Sequence, residues 1–303
     1  MTTKRRPIHY WRNLALFTLL SAVVATMLLF YVGHPYYLSR GWSHPTRLPV
    51  CCATPADRGL AYEEVAFTTA DGLTLRGWYV PSRNGAAVAL AHGLAGNRVA
   101  LLDHAAMLAR HGYGVLLLDL RCHGESDGDV LPFGGNEAED IVAAARYLQA
   151  RPDVDPTRVA ALGLSLGGQV SILAAARSDA LRAVIADGPC CTTFSDMPPP
   201  ATVSDWLWVP YDLVFFQMLR HQTGVADPTP VHDALAHLAS RPVLLIDGGS
   251  GRSVVHLARA AGNPPGVEIW LIPDAGHIDG LARHPAEYEQ HVIDFLDRAL
   301  ASP

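Results

Sequence analysis

The hydrophobic pattern changes character at about residue 60. From Leu14 to Val32 no charged residue occurs, and Leu, Val, Ala and Phe dominate. Coiled as a helix, that run spans ~28 Å, close to the thickness of a bilayer core. It passes into Phe30-Tyr31-Val32-Gly33-His34-Pro35-Tyr36-Tyr37, an aromatic edge suited to a lipid–water interface. A cleavable signal peptide has a shorter apolar region, about 7 to 15 residues, ending in a small-x-small site. The run therefore reads as an uncleaved signal anchor. The expected organisation is a cytoplasmic basic segment at 1–13, a transmembrane helix at 14–33, a linker at 34–60 that contains Pro45, Pro49 and Pro55, and a domain at 61–303. Basic residues ahead of the anchor favour the cytoplasm, which puts the domain on the extracytoplasmic side of the cell membrane.

Beyond residue 61 the pattern is that of strands and helices. Polar and apolar residues alternate through Val65-Ala66-Phe67-Thr68-Thr69 and Leu73-Thr74-Leu75-Arg76-Gly77-Trp78-Tyr79-Val80, with Asp71-Gly72 between them, which predicts an antiparallel hairpin. Short apolar runs follow at 87–91, 114–120, 159–163, 183–186, 243–246 and 267–272. Amphipathic stretches at 98–111, 136–149, 169–176, 254–261 and 284–301 separate or follow them. That alternation predicts an α/β fold, a mostly parallel sheet with helices on both faces and its site at the carboxyl ends of the strands. Residues 192–238 break the rhythm with Met197-Pro198-Pro199-Pro200 and then Trp206, Trp208, Tyr211, Phe215 and Phe216. A stretch that long reads as a small cap insertion. Its aromatics suit either an apolar substrate pocket or a helix packed on the core.

With 303 residues, half of them apolar, the chain can bury one large core. The net charge of −6, with no basic or aromatic-interleaved patch after the anchor, argues against nucleic acid as a partner. Lys4 is the only lysine. Cys51-Cys52 and Cys190-Cys191 are adjacent pairs and Cys122 stands alone. One cysteine of each pair joined to the other pair, or small buried thiols, both fit. None has metal-ligand spacing with histidine, so neither a metal nor a cofactor is expected.

Gly163-Leu164-Ser165-Leu166-Gly167 lies between an apolar strand and a helix-forming stretch. A strand–turn–helix this tight strains the serine, exposes its hydroxyl at the sheet end and admits only glycine at the flanks. Such a serine needs a base, and His277 in Pro273-Asp274-Ala275-Gly276-His277 follows the last strand. It also needs oxyanion donors: the N–H of Leu166, and that of Leu94 in His92-Gly93-Leu94-Ala95-Gly96-Asn97. His92 and His123 lie in turns, where histidine more often braces a loop.

With these residues in place, the chain resembles the α/β-hydrolases, in particular membrane-anchored serine hydrolases of the serine aminopeptidase and esterase kind. The resemblance rests on Asp71-Gly72-Leu73, Gly77-Trp78-Tyr79, His92-Gly93-Leu94-Ala95-Gly96-Asn97, Asp119 to Ser126, the Ser165 elbow and Ala275-Gly276-His277, and covers residues 60–300. It implies the α/β-hydrolase fold, Ser165 as nucleophile, His277 as base, Leu94 and Leu166 as the oxyanion hole, and an acyl substrate that is a small molecule or lipid-like. The family's acid follows the strand represented by 242–246 in the pattern His-Gly-x-x-Asp, and here that segment reads Asp247-Gly248-Gly249-Ser250-Gly251. Gly251 stands where the aspartate should. Asp187, which ends the preceding strand as in the pancreatic lipase group, is the expected acid; Asp247, Asp274 and no acid at all are the alternatives. The two readings of function are a serine hydrolase cleaving an ester, thioester or amide, with carboxylesters ahead of peptides, and a catalytically weak or inactive hydrolase fold used for ligand binding or scaffolding. The sequence leaves the oligomeric state open.

Overall fold

A computed structural model describes residues 7–238 and 240–301. The basic residues Lys4, Arg5 and Arg6 of the expected cytoplasmic segment lie outside the described residues. The strands are β1 Glu63–Thr68, β2 Thr74–Val80, β3 Ala87–Ala91, β4 Gly114–Leu118, β5 Val159–Leu164, β6 Ala183–Asp187, β7 Val243–Gly248 and β8 Val267–Ile272. They form one sheet in the order β1-β2-β4-β3-β5-β6-β7-β8. The first hairpin is antiparallel and joins β4 antiparallel; every later pairing is parallel. The helices are α1 Ile8–Leu28, α2 His34–Ser43, α3 Leu102–Arg110, α4 Ala138–Gln149, α5 Leu166–Arg177, α6 Val203–Thr223, α7 Val231–His237, α8 Arg252–Ala260, α9 Gly280–Arg283 and α10 Pro285–Ala299.

Alternate residues of each central strand face opposite sides, and both sides are apolar. Val88, Leu90, Val115, Leu117, Ile185 and Leu244 pack with α3 and α10 on one face. Ala89, Leu116, Ala161, Val184 and Leu245 pack with α4, α5, α7 and α8 on the other. The small residues of β3 let α5 approach closely: a Cβ on Gly167 would lie 2.3 Å from the Ala91 carbonyl oxygen. This buries the helix that follows the serine along nearly its whole length.

The expected linker at 34–60 is more ordered than its prolines imply. A single π-helical turn, Leu29–Gly33, joins α1 to α2, so the helix runs unbroken from Ile8 to Ser43. Its first part has no buried residue, whereas α2 packs along α6, where Trp42 meets Phe133 and Phe215. Helical pairing offers α2 an apolar face to bury that the sequence of the linker alone does not reveal. The coil beyond it is pinned: Asn97 Nδ2 donates to the carbonyls of Leu48 and Pro49, and the Arg47 guanidinium caps carbonyls of the 123–128 loop. The 36-residue helix is long and apolar enough to cross a membrane by length and composition.

The insertion between β6 and β7 holds the 21-residue α6, closed at its start by a Thr202–Asp205 capping box, and the short α7. Its aromatics divide: Tyr211, Phe215 and Phe216 are core residues, while Trp206 and Trp208 face outward. All five cysteines are free thiols.

Candidate active site

Ser165 sits between β5 and α5 at φ 51°, ψ −113°, a strained conformation for any L residue. The strain is imposed from both sides. A Cβ on Gly163 would fall 2.1 Å from the Gly167 carbonyl, and one on Gly167 would strike the Ala91 backbone. The Ser165 N–H donates to the Asp187 carbonyl at 2.7 Å, tethering the turn to the end of β6. Its hydroxyl therefore projects from the carboxyl edge of the sheet.

The loop after β8 brings His277 over that edge, with Nε2 2.9 Å from Ser165 Oγ. The ring lies against the end of β6: a Cβ on Gly188, at φ +61°, would be 2.9 Å from His277 Nδ1. Glycine there leaves room for the imidazole.

The loop after β3 runs against the serine, since a Cβ on Gly93 would lie 3.4 Å from Ser165 Cβ. Leu94 follows it, and Leu166 opens α5, where a helix N–H has no carbonyl one turn back. Among the described residues neither N–H has a hydrogen-bond partner. His92 and His123 support this loop, as their positions in turns led us to expect. His92 Nε2 accepts from Leu120 N–H at 3.1 Å and Nδ1 donates to the Gly93 carbonyl at 2.7 Å. His123 Nε2 accepts from Ala95 N–H at 3.2 Å while Nδ1 donates to the Arg121 carbonyl at 2.8 Å. Burial first, then the neighbouring His123, pushes His92 down to about 3; burial also lowers His123. Both rings stay neutral, committed to the backbone and far from the role of a base.

Two buried ion-pair networks that sequence reasoning passed over stiffen the same edge. Asp119 accepts from the Arg98 guanidinium at 2.7 Å, from Arg98 N–H at 2.8 Å and from Glu125 N–H at 3.0 Å. Arg121 joins Asp140 and Asp71 at 2.7 and 2.8 Å. The signal for them was the run of charged residues in 119–125 beside apolar strands, where charge survives only if paired.

The carboxylate expected at Asp187 makes no hydrogen bond or ion pair with His277 among the described residues. Its Oδ2 accepts from the Tyr288 hydroxyl at 2.9 Å, and the side chain is buried. Burial, outweighing that hydrogen bond, pushes the Asp187 carboxyl up to about 7. Asp247 ends up inside β7, half buried. Burial raises its pKa, opposed by the hydrogen bond from the Gly248 backbone N–H and, more weakly, by the neighbouring His277. Asp274 pairs instead with His284 at 2.9 Å. Gly251, at φ +63°, starts α8 directly, and a Cβ there would lie 2.4 Å from Leu271. At the family's acid position the backbone thus takes a left-handed conformation that favours glycine, and the side chain of Leu271 lies over it.

An apolar cleft of about 650 Å³ opens beside α6, lined in part by Met197, Pro199, Trp206, Trp208, Arg252 and His256. Neither Ser165 nor His277 lines it.

The X-Pro dipeptidyl-peptidase (S15 family) matches residues 48–197. The chain is 32% identical to protein Rv2307c of Mycobacterium tuberculosis over 78% of its own length and 82% of that protein, and 29% identical to YfhR of Escherichia coli K12 over 78% and 81%. Its fold is similar to that of the Pyrococcus furiosus esterase Pf2001, with a TM-score of 0.68 at 24% identity, covering 86% of this chain and 99% of that one.

Proposed function

Because this chain belongs to the α/β-hydrolase superfamily and is a hydrolase, we propose that it cleaves an ester, thioester or amide through an acyl-enzyme formed on Ser165. The observation that carries this reading is His277 Nε2 at 2.9 Å from Ser165 Oγ on a strained turn. As Oγ attacks the substrate carbonyl, His277 accepts its proton. The oxyanion of the tetrahedral intermediate then faces the N–H groups of Leu94 and Leu166. Collapse expels the leaving group, which takes the proton back from His277. Water attacks the acyl-enzyme with His277 again as base, and the acid product leaves with Ser165 restored.

In this reading the imidazolium draws its stabilising charge from Asp247, across a gap rather than through a hydrogen bond. Asp187 fixes β6 to α10 through Tyr288. Long-range pairing gives weaker stabilisation than a direct bond, so modest turnover is expected. Carboxylic esters with apolar acyl groups rank ahead of peptides, because Met197, Trp206 and Trp208 give the cleft beside α6 an apolar lining. The apolar part of the long N-terminal helix serves as the membrane anchor, with the domain outside.

Hydrolysis of p-nitrophenyl esters of graded chain length by the full chain tests this. Ser165→Ala and His277→Ala are each expected to lower kcat by about 1,000-fold or more, and Asp247→Asn by about 10-fold. Turnover unaffected by Ser165→Ala would reject the mechanism. A collapse of kcat in folded Asp187→Asn with little change in Asp247→Asn would return the acid to Asp187.

A further inference from the structure

The cap helix α6 and the N-terminal helix run side by side in the same direction. The Tyr31 hydroxyl donates to the Leu207 carbonyl at 3.1 Å, and Phe30 packs on Trp208 and Tyr211. Further along, His34 meets the Tyr211 hydroxyl, and the Gln222 amide donates to Ser39 Oγ at 3.0 Å. The start of α6 is therefore level with the end of the membrane-length apolar run. Val203, four residues before Leu207, reaches ~6 Å further toward that run.

The outward face of this part of α6 is apolar. Val203 is 86% exposed, Trp206 62%, Leu207 63% and Leu213 49%. With Pro210, they fall at i, i+3, i+4, i+7 and i+10, one face of a helix, and Val214 lies on the same face. A water-facing helix carries polar groups there. The two acidic residues in these turns lie off that face: Asp205 caps the helix and pairs with Arg252 at 3.4 Å, and Asp212 is partly buried and lines the cleft. We propose that the first three turns of α6 insert into the lipid interface beside the anchor, so the domain grips the bilayer with a second element. The continuity of this face with the anchor helix selects lipid as the occupant. The cleft lined by Trp206 and Trp208 then opens at the membrane surface, which suits a substrate resident in lipid.

This inference rests on the reading of the N-terminal helix as an anchor. Full-length protein is reconstituted in phosphatidylcholine vesicles with and without brominated acyl chains. The fluorescence lost on Trp206→Phe, a conservative change at an exposed site, isolates the Trp206 signal. That signal is expected to fall about twofold in brominated vesicles and to resist quenching by aqueous acrylamide. A Trp206 signal untouched by bromine and strongly quenched by acrylamide, in protein that resists alkaline carbonate extraction, overturns the insertion and leaves the anchor standing. Release by carbonate overturns the anchor and the insertion with it.

Discussion

At the scale of single residues, the site is set by what glycine permits and what burial costs. Gly163, Gly167 and Gly188 make room for a strained serine and for the ring of His277. These first two were legible as a motif, because only a strand–turn–helix with bare flanks accepts that spacing. Gly188 was not, since its role depends on a loop 90 residues later. Asp187 illustrates burial. Its folded-state pKa, up at about 7, lies above the ordinary 3.8. The folded state therefore holds a proton that the unfolded chain has released between those values. The sign follows: this group's contribution to stability is fully present below pH ~4 and is lost as pH rises through about 7, by a few kcal/mol in all. Asp187→Asn removes the titration while keeping a partner for Tyr288. In urea unfolding, the variant is expected to gain stability relative to wild type on going from pH 4 to pH 7. A constant difference across that range would mean that Asp187 is ionised throughout.

At the scale of elements, the strands were the most readable part of the chain. β3 falls where its apolar run predicts it, because a strand buried on both faces leaves a continuous apolar signature; β8 also matches its run, although as an edge strand most of its residues are partly or fully exposed. The ends were less clear: β7 extends to Gly248 and so takes in Asp247. Helix α2 was hidden under prolines and glycines, since its stability comes from packing on α6 and not from local preference. The loops after β3 and β4 read correctly as carriers of bracing histidines, but their ion pairs were not legible in the sequence. Asp119 holds both loops in place through Arg98 and the N–H of Glu125. Asp119→Ala leaves the buried Arg98 guanidinium with only the half-exposed Glu125 carboxylate as partner and frees the N–H groups of Arg98 and Glu125, and is expected to cost about 3–5 kcal/mol in equilibrium unfolding. A loss under about 1 kcal/mol would show that the pair contributes little beyond compensating its own desolvation.

At the scale of the whole molecule, one sheet edge gathers residues from five separate segments: Leu94 after β3, His123 after β4, Ser165 after β5, Asp187 and Gly188 at the end of β6, and His277 after β8. The parallel sheet order accounts for the convergence, as every crossover returns the chain to the same edge. In the segment after β7 the sequence departs from the pattern the resemblance implies, with Asp247 and Gly251 in place of the histidine and the aspartate, and there the short β7–α8 connection lies against Leu271. In the proposed mechanism, nucleophile, base and oxyanion donors are those the family resemblance implies, and what differs is how the base is charged. The central claim is that Ser165 is an activated nucleophile, and covalent labelling tests it most directly. Full-length protein treated with a fluorophosphonate probe is expected to carry one adduct, on the peptide containing Ser165. The adduct should be abolished by Ser165→Ala and strongly slowed by His277→Ala. Folded wild-type protein that stays unlabelled, indistinguishable from Ser165→Ala, would contradict it and leave the fold as a binding module.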